Sequence, residues 1–377
     1  MDAPHISPPA GRFLRACYGL PVDATPIWLM RQAGRYMPEY RQIAKRHTFW
    51  ELVKQPELAC EITLQPIDAF EVDAAIIFAD ILPLLQAMGL RMDFVGPEQL
   101  VVENPVRNQR DIEELRVPEP EQDLWFTLEA IRLTRRALDG RGIPLMGFSG
   151  SPFTLASYAI EAGGNSKRSY LRQNTKAMLM SAPEQWHLLM SKLAEAVGSY
   201  LLAQARAGAQ ALHLFDSWAN VLSAADYQTY VLPYTRRSIE IARAARVPIL
   251  YFSTLSSSAI HLARETRADV LGLDWTHDLD AVRRQVGPHF TLQGNLDPIA
   301  LLAPWPELKN RARTVLDQAG GQPGHIFNIG GGIVSNPEVD NVRRLAEFVH
   351  EYSALHRPIA ADLYLAETDA PAFEAVP

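Results

Sequence analysis

Short continuous apolar runs alternate along this chain with longer stretches whose apolar residues recur at helical spacing. The runs cover residues 27–30, 74–78, 144–148, 211–215, 248–252, 270–273, 290–293 and 325–329. Helical patterning is clearest over 63–70, before the second run, and over 185–207, before the fourth. Pro38 and Glu39, just past the first run, are residues suited to a first helical turn. Apolar runs without polar alternation imply strands buried on both faces, as in parallel sheets. Eight such strand–helix units predict a single (β/α)₈ barrel over residues 12–356, with its cleft at the C-terminal ends of the strands. An open doubly wound sheet is the alternative. Against it, no GxGxxG follows the first run, and the one glycine cluster, Gly330, Gly331 and Gly332, follows the last.

Two stretches interrupt the alternation. Residues 90–108 read as an inserted hairpin, with Arg91, Asp93 and Val95 opposed to Met92 and Phe94 and a turn at Gly96 and Pro97. Residues 357–377 have no place in the barrel, and their acidic, Ala- and Pro-containing end is expected to be a partly mobile tail.

Composition narrows the chemistry. The 377 residues are 47% hydrophobic and 21% charged, an ordinary balance for a globular protein able to bury a full core. Cys17 and Cys60 are the only cysteines, which suits neither a disulfide framework nor a thiolate-held metal. A net charge of −7 argues against a nucleic-acid surface, so any anionic ligand must be drawn by a local basic patch. No apolar run approaches the ~18 residues of a membrane span. The opening MDAPHISPPAGR lacks the order of a signal peptide, so a cytoplasmic location is expected.

In a barrel, chemistry belongs to the residues just after each strand. Here these are Arg31 and Arg35; Asp80; Ser149 and Ser151, with Tyr158 one helical reach on; Asp216, Ser217 and Trp218; Ser253 and Thr254; Asp274 and Trp275; Asn295 and Asp297; and the glycines. No lysine is placed for a Schiff base, no thiol for nucleophilic attack, and no His/Asp/Glu set has metal spacing, so no metal is expected. Two arginines on one short loop offer planar forks for carboxylates or phosphates, or are merely solvated. Asp80, between Phe78 and Ile81, is a carboxylate in apolar company that needs an answering cation or donors, or it simply caps the next helix. His213 reads as strand interior, and Phe215 and Trp218 as wall or core.

RQAGRY at 31–36 followed by PEYR, IIFADIL at 76–82, GFSGSPFTLASY at 147–158, HLFDSWA at 213–219, GLDW at 272–275, LQGNLDP at 292–298 and FNIGGGI at 327–333 closely resemble the uroporphyrinogen decarboxylase family, in the family's order. The resemblance implies a (β/α)₈ barrel, as a homodimer, that removes carbon dioxide from the four acetates of uroporphyrinogen without cofactor or metal. It implies catalytic roles for Asp80, Arg31 and Arg35. Substrate contacts are implied for the loop Arg31, Gln32, Ala33, Gly34 and Arg35, for Tyr40, Asp80, Tyr158, Phe215 and Ser217, and for Gly331. The chain also departs from the pattern: Gly331 stands where the family commonly has histidine, and Ser253 and Thr254 where it often has lysine. His325 and Asn328 are the nearby side chains that could take over the lost contact. Three other functions fit parts of the sequence. They are zinc-dependent methyl transfer, which the lack of cysteine after Cys60 opposes; a phosphate-binding barrel using the triple glycine; and a tetrapyrrole-binding protein without turnover.

Overall fold

The apolar runs from the second onward meet in one parallel sheet, whose strands are ordered in space as in the chain. In the computed structural model, which describes residues 11–95, 99–161, 171–334 and 336–356, its seven strands are β1 (Ala75–Ile76), β4 (Leu145–Gly150), β5 (Ala211–Asp216), β6 (Ile249–Ser253), β7 (Val270–Leu273), β8 (Thr291–Gln293) and β9 (His325–Ile326). Every residue of β6 and β7 is buried, as strands covered on both faces must be. The inserted hairpin is present: β2 (Met92–Val95) pairs antiparallel with β3 (Gln99–Val102), Met92 buried and Asp93 and Val95 exposed. Its expected turn at Gly96 and Pro97 lies outside the described residues, as does the tail from 357. The helical patterns become Pro56–Ala69 and Pro183–Arg206, each starting earlier than its apolar periodicity because proline opens the first turn.

Seven of the eight expected strands are seen as strands, and the first run is not among them. Ile27 makes only an isolated parallel bridge to Phe327. On that side Phe327 N–H donates to Pro26 O at 2.8 Å, and on the other Asp73 N–H donates to Ile27 O at 2.7 Å. Segment 26–28 thus bonds to residues flanking both edge strands, β9 and β1. It does not continue as a strand because side chains replace the ladder: Leu29 N–H donates to Gln32 Oε1 (3.0 Å) and Met30 N–H to Asn328 Oδ1 (3.0 Å). The last run is shortened for the same reason, since Asn328 Oδ1 also accepts Ile329 N–H.

The sheet's interior is closed at one end. Helix Arg12–Cys17 inserts Phe13 and Leu14 among Trp28, Met146, Leu250 and Val270. Above that layer Trp28 Nε1–H donates to Gln293 Oε1 at 2.9 Å, and Gln293 Nε2–H to His213 Nε2 at 3.1 Å. Burial pushes His213 down to about 3, so the ring is neutral and can accept that bond. His213 is a core residue, as its place in the strand suggested, with Phe215 stacked on it at 4.0 Å. Only the C-terminal end of the sheet remains for chemistry.

Asp73 ties the ends of the chain together. Its Oδ2 accepts Ile27 N–H and the Nε2 of His350, each at 2.7 Å, and its Oδ1 lies 3.3 Å from Arg12 Nη1. Asp73→Ala is expected to lower unfolding stability by about 2–4 kcal/mol, because it strands donors on three elements at once. Urea unfolding measures this, and a loss below about 0.5 kcal/mol would show that the three elements hold without it.

Candidate active site

The loop after the first run is folded by its own buried glutamine. Gln32, 1% exposed, donates through Nε2 to Ala74 O at 3.0 Å while its Oε1 takes Leu29 N–H. Its carbonyl accepts Tyr36 O–H at 2.6 Å, and Arg41 Nη1 donates to the carbonyls of Arg35 and Tyr36. With Gln32 turned inward, Arg31 and Arg35 are left exposed on the outer side, and Ala33 and Gly34 lie half-buried between them. Gln32 therefore fixes the loop through its side chain rather than offering it to a ligand. Arg31 holds φ 64°, a left-handed conformation that costs a non-glycine residue about 1 kcal/mol. Its side chain crosses Gly332, where a Cβ would lie 2.8 Å from Arg31 Cδ. Arg35 reaches the hydroxyl of Tyr40, whose upward shift by burial it partly offsets, and the Tyr40 ring packs 5.7 Å from Phe78.

Asp80 follows β1 on a segment pinned from below, where Phe78 N–H donates to Thr63 Oγ1 at 2.8 Å. Its Oδ1 accepts Leu82 N–H at 2.8 Å, at the start of helix Leu82–Ala87. The capping contact is real, and it does not exhaust the carboxylate. Burial in apolar surroundings raises the Asp80 carboxyl above its ordinary value, while the Leu82 amide, the Arg31 charge and the Ile81 amide pull it back. The group keeps partial solvent contact.

Tyr158 joins this pair. Burial pushes its hydroxyl up, and the charges of Arg172, Asp80 and Arg31 all act on it. Beside it stand Trp218, edge to face at 6.4 Å, and the aromatic wall of Phe148 and Phe215, 5.7 Å apart. Ser217 is exposed at the end of β5, held by its amide donating to Thr154 Oγ1 at 2.9 Å. Behind it the buried Asp216 accepts Thr154 Oγ1–H (3.0 Å), Tyr251 O–H (2.8 Å) and the Ser151 hydroxyl, and burial raises it. Tyr227 and Tyr251 share a further bond at 2.7 Å. Sequence reading placed Asp216 at a strand end but missed Thr154 and Tyr251 as its partners, and Tyr227 behind Tyr251. The threonine lies within GFSGSPFTLASY, whose hydroxyl density was the available signal. Arg172 was missed entirely, and no motif marks it.

The triple glycine is explained by packing. A Cβ on Gly330 would lie 2.2 Å from Trp275 N, and Gly332 gives way to Arg31. Gly331 sits under the Trp275 ring and does not occupy the left-handed region. Of the two proposed stand-ins for the family histidine, His325 is buried with Nε2 against Gly294 O at 3.0 Å, and Asn328 spends its Oδ1 on Met30 and Ile329 while its Nδ2 is buried without an acceptor. Ser253 and Thr254 likewise turn their hydroxyls to backbone, at Leu255 and at Asn220 and Asp216. Among the described residues no group of three or more His, Cys, Asp or Glu could hold a metal ion. Cavities of about 230 and 450 Å³ lie at the opposite, N-terminal end of the strands, near His325 and near Asp73. The charges of the second are largely paired, Arg12 with Asp23 and Asp73 with His350. The cluster that can act on a ligand is therefore a half-buried carboxylate, two exposed arginines, a half-buried tyrosine and aromatic walls. It can bind an anion-bearing ring and stabilise positive charge on it.

Comparison with known proteins gives the same direction. The family model described as Uroporphyrinogen decarboxylase (URO-D) matches residues 8–352. A uroporphyrinogen decarboxylase of Roseiflexus sp. (strain RS-1) is 56% identical over 348 residues, covering 91% of this chain and 99% of that protein. One from Chloroflexus aurantiacus is 51% identical, covering 90% and 96%, and one from Geobacter sulfurreducens 46%, covering 91% and 98%. Among solved structures, a methyltransferase from Methanosarcina mazei superposes with a TM-score of 0.75 at 20% identity, covering 90% of this chain and 98% of that one. That likeness concerns the fold alone.

The Arg31 charge near Asp80 has a measurable consequence. The Asp80 carboxyl is expected to titrate above its ordinary 3.8, and higher still in Arg31→Gln, which removes the charge holding it down. Infrared or carbon-detected NMR titration of Asp80 reads both. A midpoint unmoved by the substitution would separate the two residues.

Proposed function

The chain belongs to the uroporphyrinogen decarboxylase family, and on that premise we propose that it removes the four acetate carboxyl groups of uroporphyrinogen III as carbon dioxide, giving coproporphyrinogen III for tetrapyrrole biosynthesis. The observation that carries the reading is Asp80: a carboxylate at a strand end, in apolar surroundings, facing the Arg31 charge and Tyr158. The chemistry needs no cofactor because the substrate is its own electron sink. A proton adds to the ring carbon next to the nitrogen, beside the carbon that bears the acetate, leaving an iminium-like cation conjugated to the acetate-bearing carbon. The bond from the methylene to the carboxylate then breaks, its electron pair forms an exocyclic double bond, and carbon dioxide leaves. The methylene takes a second proton, and loss of the ring proton restores the pyrrole. Each round consumes one proton and exchanges a carboxylate for a hydrogen.

In this reading Asp80 accepts the pyrrole N–H groups and stabilises the cation without moving, where a preorganised charge is most effective. Arg31 and Arg35 hold substrate carboxylates, and one of them passes the proton through water. Tyr158 and Ser217 contact further side chains, and Phe215 and Tyr40 supply apolar wall. Segment 26–30 takes the place of the first strand, which completes a (β/α)₈ barrel. The reading includes a homodimer, for which the exposed Ile299 and Leu302 on one short helix are suitable apolar surface, and a cytoplasmic location. A tetrapyrrole-binding protein without turnover is the second reading, favoured by the missing donors at Gly331 and at Ser253 and Thr254. Anaerobic incubation with uroporphyrinogen III, followed by chromatography of the products, separates them: binding without loss of carboxyl groups would defeat the decarboxylase.

Asp80→Asn keeps the cap to Leu82 and removes only the charge. It is expected to lower kcat at least ~100-fold with Tm unchanged or raised, since a carboxyl pushed up by burial destabilises its charged form. An unchanged kcat would leave Asp80 as a cap alone.

Gly331→His tests the departure from the family. A Cβ there would meet Trp275 Cζ3 at 3.2 Å, and that ring is 50% exposed and free to give. Each round removes one anionic handle from the substrate, so a cleft short of donors is expected to release partly decarboxylated seven-, six- and five-carboxyl species. The substitution is expected to shift products toward four carboxyls. A profile already free of intermediates in the unmodified protein would refute this.

A further inference from the structure

Arg172 sits at 5% exposure just before helix Gln173–Ser181. Its guanidinium lies 3.4 Å from the Trp218 ring centroid and 5.5 Å from that of Tyr158. Among the described residues it makes no side-chain hydrogen bond or ion pair, and its Nε is buried without an acceptor. The buried Nε1–H of Trp218 is turned to the Tyr158 hydroxyl but makes no well-formed hydrogen bond. The carboxylate whose charge bears on Arg172 is Glu161, and it is committed elsewhere: it accepts Thr175 N–H and O–H, each at 2.9 Å, and Asn174 Nδ2–H at 3.1 Å. A third donor, the Tyr158 hydroxyl, stands beside them.

Buried donors without acceptors are uncommon, and a buried cation without a counter-charge is more costly still. Arg172 also holds φ 49°, a further expense for a side chain with a Cβ. The Trp218 and Tyr158 rings receive the cation through their faces, which leaves its N–H donors unanswered. What the arrangement lacks is an anion. Because Tyr158 lies within the fields of Asp80 and Arg31 as well as Arg172, the missing anion belongs to whatever occupies the cleft.

We propose that Arg172 and the indole N–H of Trp218, beside the Tyr158 hydroxyl, form a subsite for a propionate of the porphyrinogen. The proposal rests on the decarboxylase reading and adds to it a specificity residue outside the motifs. A propionate suits the subsite better than an acetate: the acetates become methyl groups round by round, whereas the propionates persist and can anchor every intermediate.

The test uses Arg172→Met, Arg172→Lys and Trp218→Phe in the full-length protein. For Arg172→Met, KM for uroporphyrinogen is expected to rise at least about tenfold, the scale of one charge-assisted hydrogen bond, with a smaller fall in kcat. Arg172→Lys should recover part of the loss, and Trp218→Phe, which keeps an aromatic ring and drops the N–H, should lose a smaller factor. Tm of Arg172→Met should match or exceed that of the unmodified protein, because the uncompensated cation is gone. Anaerobic ultrafiltration with coproporphyrinogen, which carries propionates and no acetates, should show the same fold-increase in Kd. Unchanged KM and Kd with a lowered Tm would make Arg172 a structural stack and overturn the proposal. Weakening confined to uroporphyrinogen would overturn the assignment to a propionate. If the unmodified protein fails to decarboxylate uroporphyrinogen, the enzymatic reading falls, and the coproporphyrinogen titration still decides the subsite.

Discussion

A carboxylate kept half-buried at the end of an apolar strand is the constraint around which this cleft is built. Asp80 cannot be charged there without help, and the help is layered. The Leu82 amide takes one oxygen, and the Arg31 charge offsets part of the burial. Each helper has its own support. Leu82 opens a helix, while Arg31 is placed by a loop whose shape depends on Gln32 bridging Leu29 and Ala74. Because Ala74 immediately precedes β1, the same hydrogen bond that shapes the arginine loop ties it to the strand that carries Asp80. Cation and anion are thus fixed relative to one another through the Gln32 side chain and the backbone it binds, not by a direct ion pair that a ligand would have to break.

Which end of the sheet carries the chemistry follows from what fills the other. Helix Arg12–Cys17 and the layer from Trp28 to Val270 close the N-terminal end with apolar side chains. The Trp28–Gln293–His213 chain above them is polar but internally satisfied at those contacts, and its histidine is neutral. The Asp216 network performs a related service nearer the cleft, spending a buried carboxyl on three hydroxyls to hold the strand end from which Ser217 projects.

Much of this was legible in the sequence, for identifiable reasons. Parallel strands announce themselves as uninterrupted apolar runs, and the runs from residue 74 onward became strands at the expected places. The first did not, because Gln32 and Asn328 compete with the ladder through side-chain acceptors, a choice that hydrophobic patterning cannot register. The residues brought near one another, Arg31, Asp80 and Tyr158, come from three separate motifs, each at a strand end or one helical reach beyond. The inward turn of Gln32 was not legible, since a residue inside a motif looks like a ligand contact whichever way it faces. Nor was Arg172, whose significance lies in having no hydrogen-bond acceptor among the described residues, a property that only packing defines.

Glycines and unpaired donors together give the cleft a lopsided character. Around Gly331 and the loop of Ser253 and Thr254, side chains that could have faced a ligand are absent or turned to backbone, and Trp275 presents a ring in their place. At Trp218 and Arg172, among the described residues, donors exceed acceptors. A cleft that holds its ligand evenly would favour the species with most carboxylates and lose grip as each is removed. One that concentrates its unsatisfied donors at a single wall can hold the substrate by a group that the reaction leaves alone, so affinity depends less on how many acetates remain. That distribution would give the later intermediates one lasting hold while the last loop, short of a donor, lets a share of them go, at the expense of a buried cation that has no hydrogen-bonded acceptor among the described residues.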